Sequence, residues 1–194
     1  MLQSVFTGSD DNQSLRLRRW AMAAGLYTFF FLLLIILTVQ GLTRLSPGSL
    51  VFLASVLFGS LSFYVLIRSD RNLRYRDPSL TVAQMTYGSI WTFLIAYLTP
   101  ELRPEVLMTY TILFFFGAFR LNTPTYLGVG GFAVLCYGLV YMAEFSRPPV
   151  AWDPLREAVR LGLFACVLGT IAFLGGQITA LRREIIKQSK ALTL

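Results

Sequence analysis

Six stretches of this chain are apolar and carry no charge: 21–43, 49–67, 80–99, 106–119, 121–143 and 161–181. That pattern constrains the fold more than any other feature. In lipid, a backbone must satisfy its own hydrogen bonds, so only helices or closed barrels cross. A helix needs about 20 residues to span a bilayer core of ~30 Å. Five runs reach or approach that length. The fourth is short even with Pro104 and Glu105 added, and the charge pattern described below requires it as a span. The fold class expected is all-α: an integral membrane bundle of six transmembrane helices. The expected domains are a cytoplasmic tail over 1–19, a membrane domain over 20–181 and the start of a cytoplasmic helix over 182–194.

Proline supports the boundaries. Only Pro124 falls inside a run, near its start, and five sit where a helix should begin: Pro47, Pro78, Pro104, Pro124 and Pro154. Proline suits the first helical position, where its missing N–H costs nothing. In four cases the preceding residue is Ser46, Asp77, Thr123 or Asp153, each a good N-cap.

Charge sets the orientation. With the N-terminus inside, the inner segments hold twelve cationic residues: Arg16, Arg18, Arg19, Arg68, Arg71, Arg74, Arg76, Arg120, Arg182, Arg183, Lys187 and Lys190. The outer segments hold five, Arg44, Arg103, Arg147, Arg156 and Arg160, and acidic residues are evenly split. The positive-inside rule then places both termini in the cytoplasm, as in a multi-pass membrane protein. It also explains the net charge of +7 without nucleic acid. Arginines of the loop Arg71, Arg74, Arg76 and Asp77 lie at the level of anionic lipid headgroups, worth roughly 1 kcal/mol each.

The same runs exclude several functions. No span interior holds Asp, Glu, Lys, Arg or His, which argues against a coupled transporter or proton relay. The chain has no histidine, and Cys136 and Cys166 lie in apolar segments. No disulfide framework, phosphate loop, metal set or nucleophile–base pair can be read, so neither catalytic residue nor cofactor is expected. Gln84, Thr86, Ser89 and Thr92 on the third run read as hydrogen-bonding groups between helices. Trp91, Tyr97, Tyr110, Tyr137, Tyr141 and Glu144 lie in middle or outer parts of their runs. They are candidates for an outward pocket taking a small hydrophobic or cationic ligand, or for an interfacial aromatic belt. Gly128, Gly130, Gly131 and Gly138, with Gly162 and Gly169, allow close helix contact.

The last run continues without a breaker into a charged tail. Ile178, Leu181 and Ile185 fall on a, d and a heptad positions, with Leu192 at a further a and Gln188 at the intervening d. This is about two heptads of a coiled-coil seam. The apolar stripe leaves lipid and needs a partner, and a parallel copy of the same chain is the simplest one. Gly175-Gly176 reads as a hinge or as a close-packing point. The chain stops at Leu194 without a helix stop signal.

Two stretches carry a family resemblance. The loop Asn72-Leu73-Arg74-Tyr75-Arg76-Asp77-Pro78-Ser79-Leu80-Thr81 and the exit Gly175-Gly176-Gln177-Ile178…Leu181-Arg182-Arg183 resemble the six-helix N-terminal membrane regions of bacterial diguanylate cyclases. Similar regions occur on class III adenylate cyclases and some histidine kinases. The resemblance spans about residues 16–194 and implies a sensor and dimerisation domain. Its last helix would control a fused GGDEF domain that joins two GTP molecules into cyclic di-GMP. That domain is absent from the sequence, so no catalytic residue is carried over, and the expectation is the sensor half of a longer chain. The alternatives are a small transporter or a structural membrane subunit.

The charge bias makes a direct prediction. Reporter fusions after Arg44 and after Arg76 should give opposite sides, outside and inside respectively. Equal signals from the two would refute this topology.

Overall fold

The computed structural model describes residues 11–41, 47–75, 77–145 and 153–192. Each apolar run has its helix: α1 (Asp11–Val39), α2 (Pro47–Arg68), α3 (Thr81–Leu98), α4 (Arg103–Phe115), α5 (Thr123–Phe145) and α6 (Pro154–Leu192). Short 3-10 turns occupy Arg71–Arg74, Pro100–Leu102 and Phe116–Phe119. There is no strand among the described residues. Three helical stretches are long and apolar enough to cross a membrane: Gln13–Val39, Thr123–Phe145 and Pro154–Ser189. Their outer surfaces keep large apolar side chains uncovered, including Phe29, Ile36, Leu139 and Leu163. Lipid supplies the apolar surroundings that such surfaces require, and water does not. The shortfall in the other three has visible causes. α4 has only 13 residues, continued by the turn Phe116–Phe119. α3 has 18, diluted by Gln84, Thr86, Ser89 and Thr92. Of α2, the described apolar stretch is Ala54–Arg68.

The chain divides into two compact units, Met1–Leu102 and Arg103–Leu194. In the first, α2 packs between α1 and α3. Its polar end departs from the expected boundary at 20, because helix α1 begins at Asp11. Gln13 and Leu17, one turn apart, explain the extension. The Gln13 side-chain amide donates to Ile67 O at 3.2 Å and to Arg68 O at 3.3 Å. It also donates to Asp70 Oδ1 at 2.7 Å. The last carbonyls of a helix lack intrahelical partners, and Gln13 serves those of α2. Leu17 packs with Ile67 and Leu80 in a buried cluster.

The loop between α2 and α3 is bracketed by two left-handed residues, Asp70 (φ 55°) and Leu80 (φ 52°). Aspartate tolerates this region; leucine does so at about 1–2 kcal/mol. Burial of Leu80 against Leu17 and Ile67 offsets that cost, being worth roughly 1.5–3 kcal/mol for a full side chain. The excursion moves the start of α3 from Pro78 to Thr81. Asp77 keeps a capping role, its carboxylate accepting from Ser79 N at 3.1 Å and Val82 N at 3.2 Å. Asn72 is buried and donates to Pro78 O at 2.5 Å. Arg71 and Arg74 are exposed, as expected of a basic loop, while Arg76 lies outside the described residues.

In the second unit, α5 and α4 pack on α6, and the turn Phe116–Phe119 lies across α6. Pro154 opens α6 as expected, with the Asp153 carboxylate accepting from Leu155 N and Arg156 N at 3.1 Å. The cap of α5 is Asn122 rather than Thr123: Asn122 Oδ1 accepts from Thr125 N at 3.2 Å. Aromatic rings fill the core. Phe114 stacks on Tyr126 at 4.4 Å, and Tyr126 donates its hydroxyl proton to Phe114 O at 2.5 Å.

α6 is one continuous helix of 39 residues, running unbroken through Gly175-Gly176. The pair is a packing point rather than a break. A Cβ at 175 would lie 2.6 Å from Ala118 Cβ, and one at 176 would lie 2.8 Å from Thr123 Cβ. Thr179, one turn from Gly175, donates to Ala118 O at 2.9 Å. By contrast, Gly162 and Gly169 have open space where a Cβ would go.

These differences predict opposite signs for like substitutions. Gly175→Ala should destabilise the detergent-solubilised protein by about 1–3 kcal/mol through overpacking. Gly162→Ala should be neutral or stabilising by up to ~1 kcal/mol from helix propensity. Denaturant titration followed by far-UV circular dichroism distinguishes the two, and equal effects would contradict the packing described here.

Candidate functional site

Three features stand out, and the sequence pointed clearly to one of them. The first is the distal part of α6. Ile178, Leu181 and Ile185 are all exposed, at 45%, 65% and 65%. They form an apolar stripe on a helix whose neighbours at these positions are Arg182, Arg183, Glu184 and Lys187, also exposed. Thr179 faces inward, bonded to its own chain. The proximal half of α6 is therefore fixed by packing, and the distal half presents uncovered leucine and isoleucine.

The second is a buried group of charges from the ends of three helices. Arg103 opens α4, Glu144 lies at the end of α5, and Glu157 is in the first turn of α6. All three are buried. Arg103 Nη2 lies 3.7 Å from Glu144 Oε1, and Arg103 Nη1 lies 3.4 Å from Glu157 Oε1. Arg160 also pairs with Glu157. Tyr137 donates its hydroxyl proton to Glu157 Oε2 at 2.7 Å. Two guanidinium groups and two carboxylates balance in charge, which is what allows them to be buried together. The negative end residue Glu157 also suits the positive end of the α6 dipole. The arrangement ties α4, α5 and the base of α6 to one another. It lies at helix ends rather than at mid-helix, unlike the charged sites of coupled transporters.

The sequence reading had placed Arg156 and Arg160 in an outer loop, because the apolar run was started at 161. Asp153-Pro154 marks the helix start seven residues earlier, and so puts Glu157 and Arg160 on the first turns of α6.

The third feature is an aromatic cleft in the first unit. It is lined by residues of α1 (Trp20, Tyr27), α2 (Phe63) and α3 (Tyr87, Gly88, Trp91) among others. Trp20 donates to Ser60 O at 2.9 Å and Tyr87 to Ser55 O at 2.5 Å.

The six residues expected to share an outer pocket are distributed differently. Trp91 lines this cleft, and none of the other five does. Trp20 and Gln84 place the cleft toward the polar end of the first unit, which carries the α1 N-terminus, rather than toward its other end. Tyr97 is half-buried on the last turn of α3. Tyr110 and Tyr137 are buried, each 5.8 Å from the Phe164 ring in an edge-on contact. Tyr141 is half-buried, and Glu144 is engaged with Arg103. Within the second unit, the rings of Tyr110 and Tyr137 are packed into the core.

Among the described residues, no cluster of side chains has the composition of a metal site. Comparison with models of known families, with curated proteins and with solved structures found no match for this chain.

The charge cluster predicts a non-additive mutant series. Arg103→Met leaves two buried carboxylates short of a counter-charge and should cost about 3–5 kcal/mol. Adding Glu144→Gln on that background should recover part of the loss, since one uncompensated charge is removed. Additive costs in denaturant titrations of the single and double variants would show that the pair is not coupled.

Proposed function

We propose that this chain is a membrane sensory and dimerisation domain of the kind that regulates a cytoplasmic diguanylate cyclase. In this reading all six helices cross a bacterial inner membrane and both termini lie in the cytoplasm. α6 relays the state of the membrane bundle to a GGDEF domain, which forms cyclic di-GMP from GTP when two copies meet. The chain itself performs no chemistry.

The observation that carries the reading is α6. At 1.5 Å per residue, its 39 residues extend about 58 Å, against a bilayer core of ~30 Å. The surplus length bears the stripe Ile178, Leu181 and Ile185, exposed within the single chain. Leaving such side chains in water forfeits roughly 1.5–3 kcal/mol each. A parallel copy of α6, inserted in the same orientation, brings the same stripe together about a two-fold axis. Arg182, Arg183 and Lys187 then point outward, toward lipid headgroups. Gln188 interrupts the seam, and two heptads are too short to hold a dimer alone, so the membrane helices contribute to it. Transport is the weaker reading, because the buried charges sit at helix ends and not along a path.

The test is a fusion of this chain through its last helix to a GGDEF domain, with Cys136 and Cys166 replaced by serine. Single cysteines at 178, 181 and 185 should crosslink symmetrically, and those at 179, 183 and 187 should not. Insertions of one to seven residues before the cyclase should make cyclic di-GMP output rise and fall with a period of about seven residues, as a coiled-coil seam requires. A flat crosslinking profile, or output indifferent to insert length, overturns the proposal.

A further inference from the structure

The aromatic cleft among α1, α2 and α3 has a feature that packing alone does not require. Several of its polar side chains are committed within the protein. Trp20 N–H is held by Ser60 O, Tyr87 O–H by Ser55 O, and Gln84 Nε2 by Ser79 O. Tyr27 differs. Among the described residues, no hydrogen bond engages its hydroxyl, which lies over Gly88. A Cβ at position 88 would lie 3.1 Å from Tyr27 Cζ and closer still to the hydroxyl. Glycine therefore makes the room in which that hydroxyl sits. The hydroxyl is open to the cleft, and it can donate to an acceptor that enters there.

The lining defines what such an acceptor is attached to. The cleft wall is formed by the rings of Trp20, Phe63, Tyr87 and Trp91, with small side chains on α1, and no carboxylate lines it among the described residues. A cation there would lose its water and find no counter-charge, so the occupant is neutral. The free space is about 30 Å³, enough for one or two small groups rather than for a drug-sized molecule. Only a narrow end fits. We infer that the cleft is a binding site for a neutral lipophilic molecule that presents a terminal carbonyl on a slim alkyl chain. Tyr27 donates to the carbonyl, and the rings of Trp20 and Trp91 cover the adjoining carbons. This inference concerns binding alone and stands apart from the identity of any output enzyme.

The probes are 2-dodecanone, which has the carbonyl, and dodecane, which lacks it. The intact chain is placed in nanodiscs with Trp152→Phe, so that tryptophan emission reports only Trp20 and Trp91. 2-Dodecanone should change the emission saturably. Dodecane should bind about five- to tenfold more weakly, the range expected for one hydrogen bond. Tyr27→Phe, which keeps the ring, should bring the two probes to the same affinity. Gly88→Leu should abolish the saturable phase, with helical content checked by circular dichroism. Emission that changes only linearly with either probe means partition into lipid and overturns the site. Equal affinity of the two probes for the Tyr27-containing protein overturns the role of the hydroxyl.

Discussion

The close approach of α6 to the segment joining α4 and α5 governs the second unit. Gly175 and Gly176 let the helix come against Ala118 and Thr123, and Thr179 fixes the register through Ala118 O. Once that contact is made, the helix cannot rotate without driving a backbone into a side chain. The charge group at the other end does comparable work with different chemistry. Arg103, Glu144 and Glu157 hold the base of α6 by electrostatics in a buried setting. Between these two anchors lies the aromatic core of Tyr110, Tyr137 and Phe164. Beyond the glycine anchor, Leu181 and Ile185 are exposed among the described residues.

The existence of six helices was legible because the runs are long, apolar and uncharged, and so stand out without periodicity. Proline and its preceding residues marked the starts of α2 and α6 correctly. What hydropathy could not resolve was the polar ends. Residues 11–19 read as a tail because helix signals were sought in apolar runs, yet Gln13 and Leu17 face α2 at helical spacing. Leu80 could not be foreseen either, since no local preference places a leucine in the left-handed region. Its conformation is imposed by a contact with Leu17, far away in sequence.

The aromatic residues show a different limit. Sequence assigns each ring a height along its helix but not a direction around it. Trp91 and Tyr137 have comparable settings in their runs. Trp91 opens onto a cleft, whereas Tyr137 is turned inward by Glu157 and packed on Phe164. The polar partner decided the direction, and that partner comes from a different helix.

The Gln13 contact has a consequence for how the first unit is made. Its acceptors lie 54 to 57 residues downstream, and Leu80, which closes over Leu17, lies further still. During synthesis α1 emerges long before any of them exists. Its polar end is therefore without its partners until α2 has been completed and the chain has passed Leu80. Closing a loop of this length carries an entropic cost that grows only slowly with further length, so delay adds little penalty. The first two helices must accordingly hold as separate pieces until then, and the latch at their polar ends forms late, as the step that converts separate helices into a folded unit.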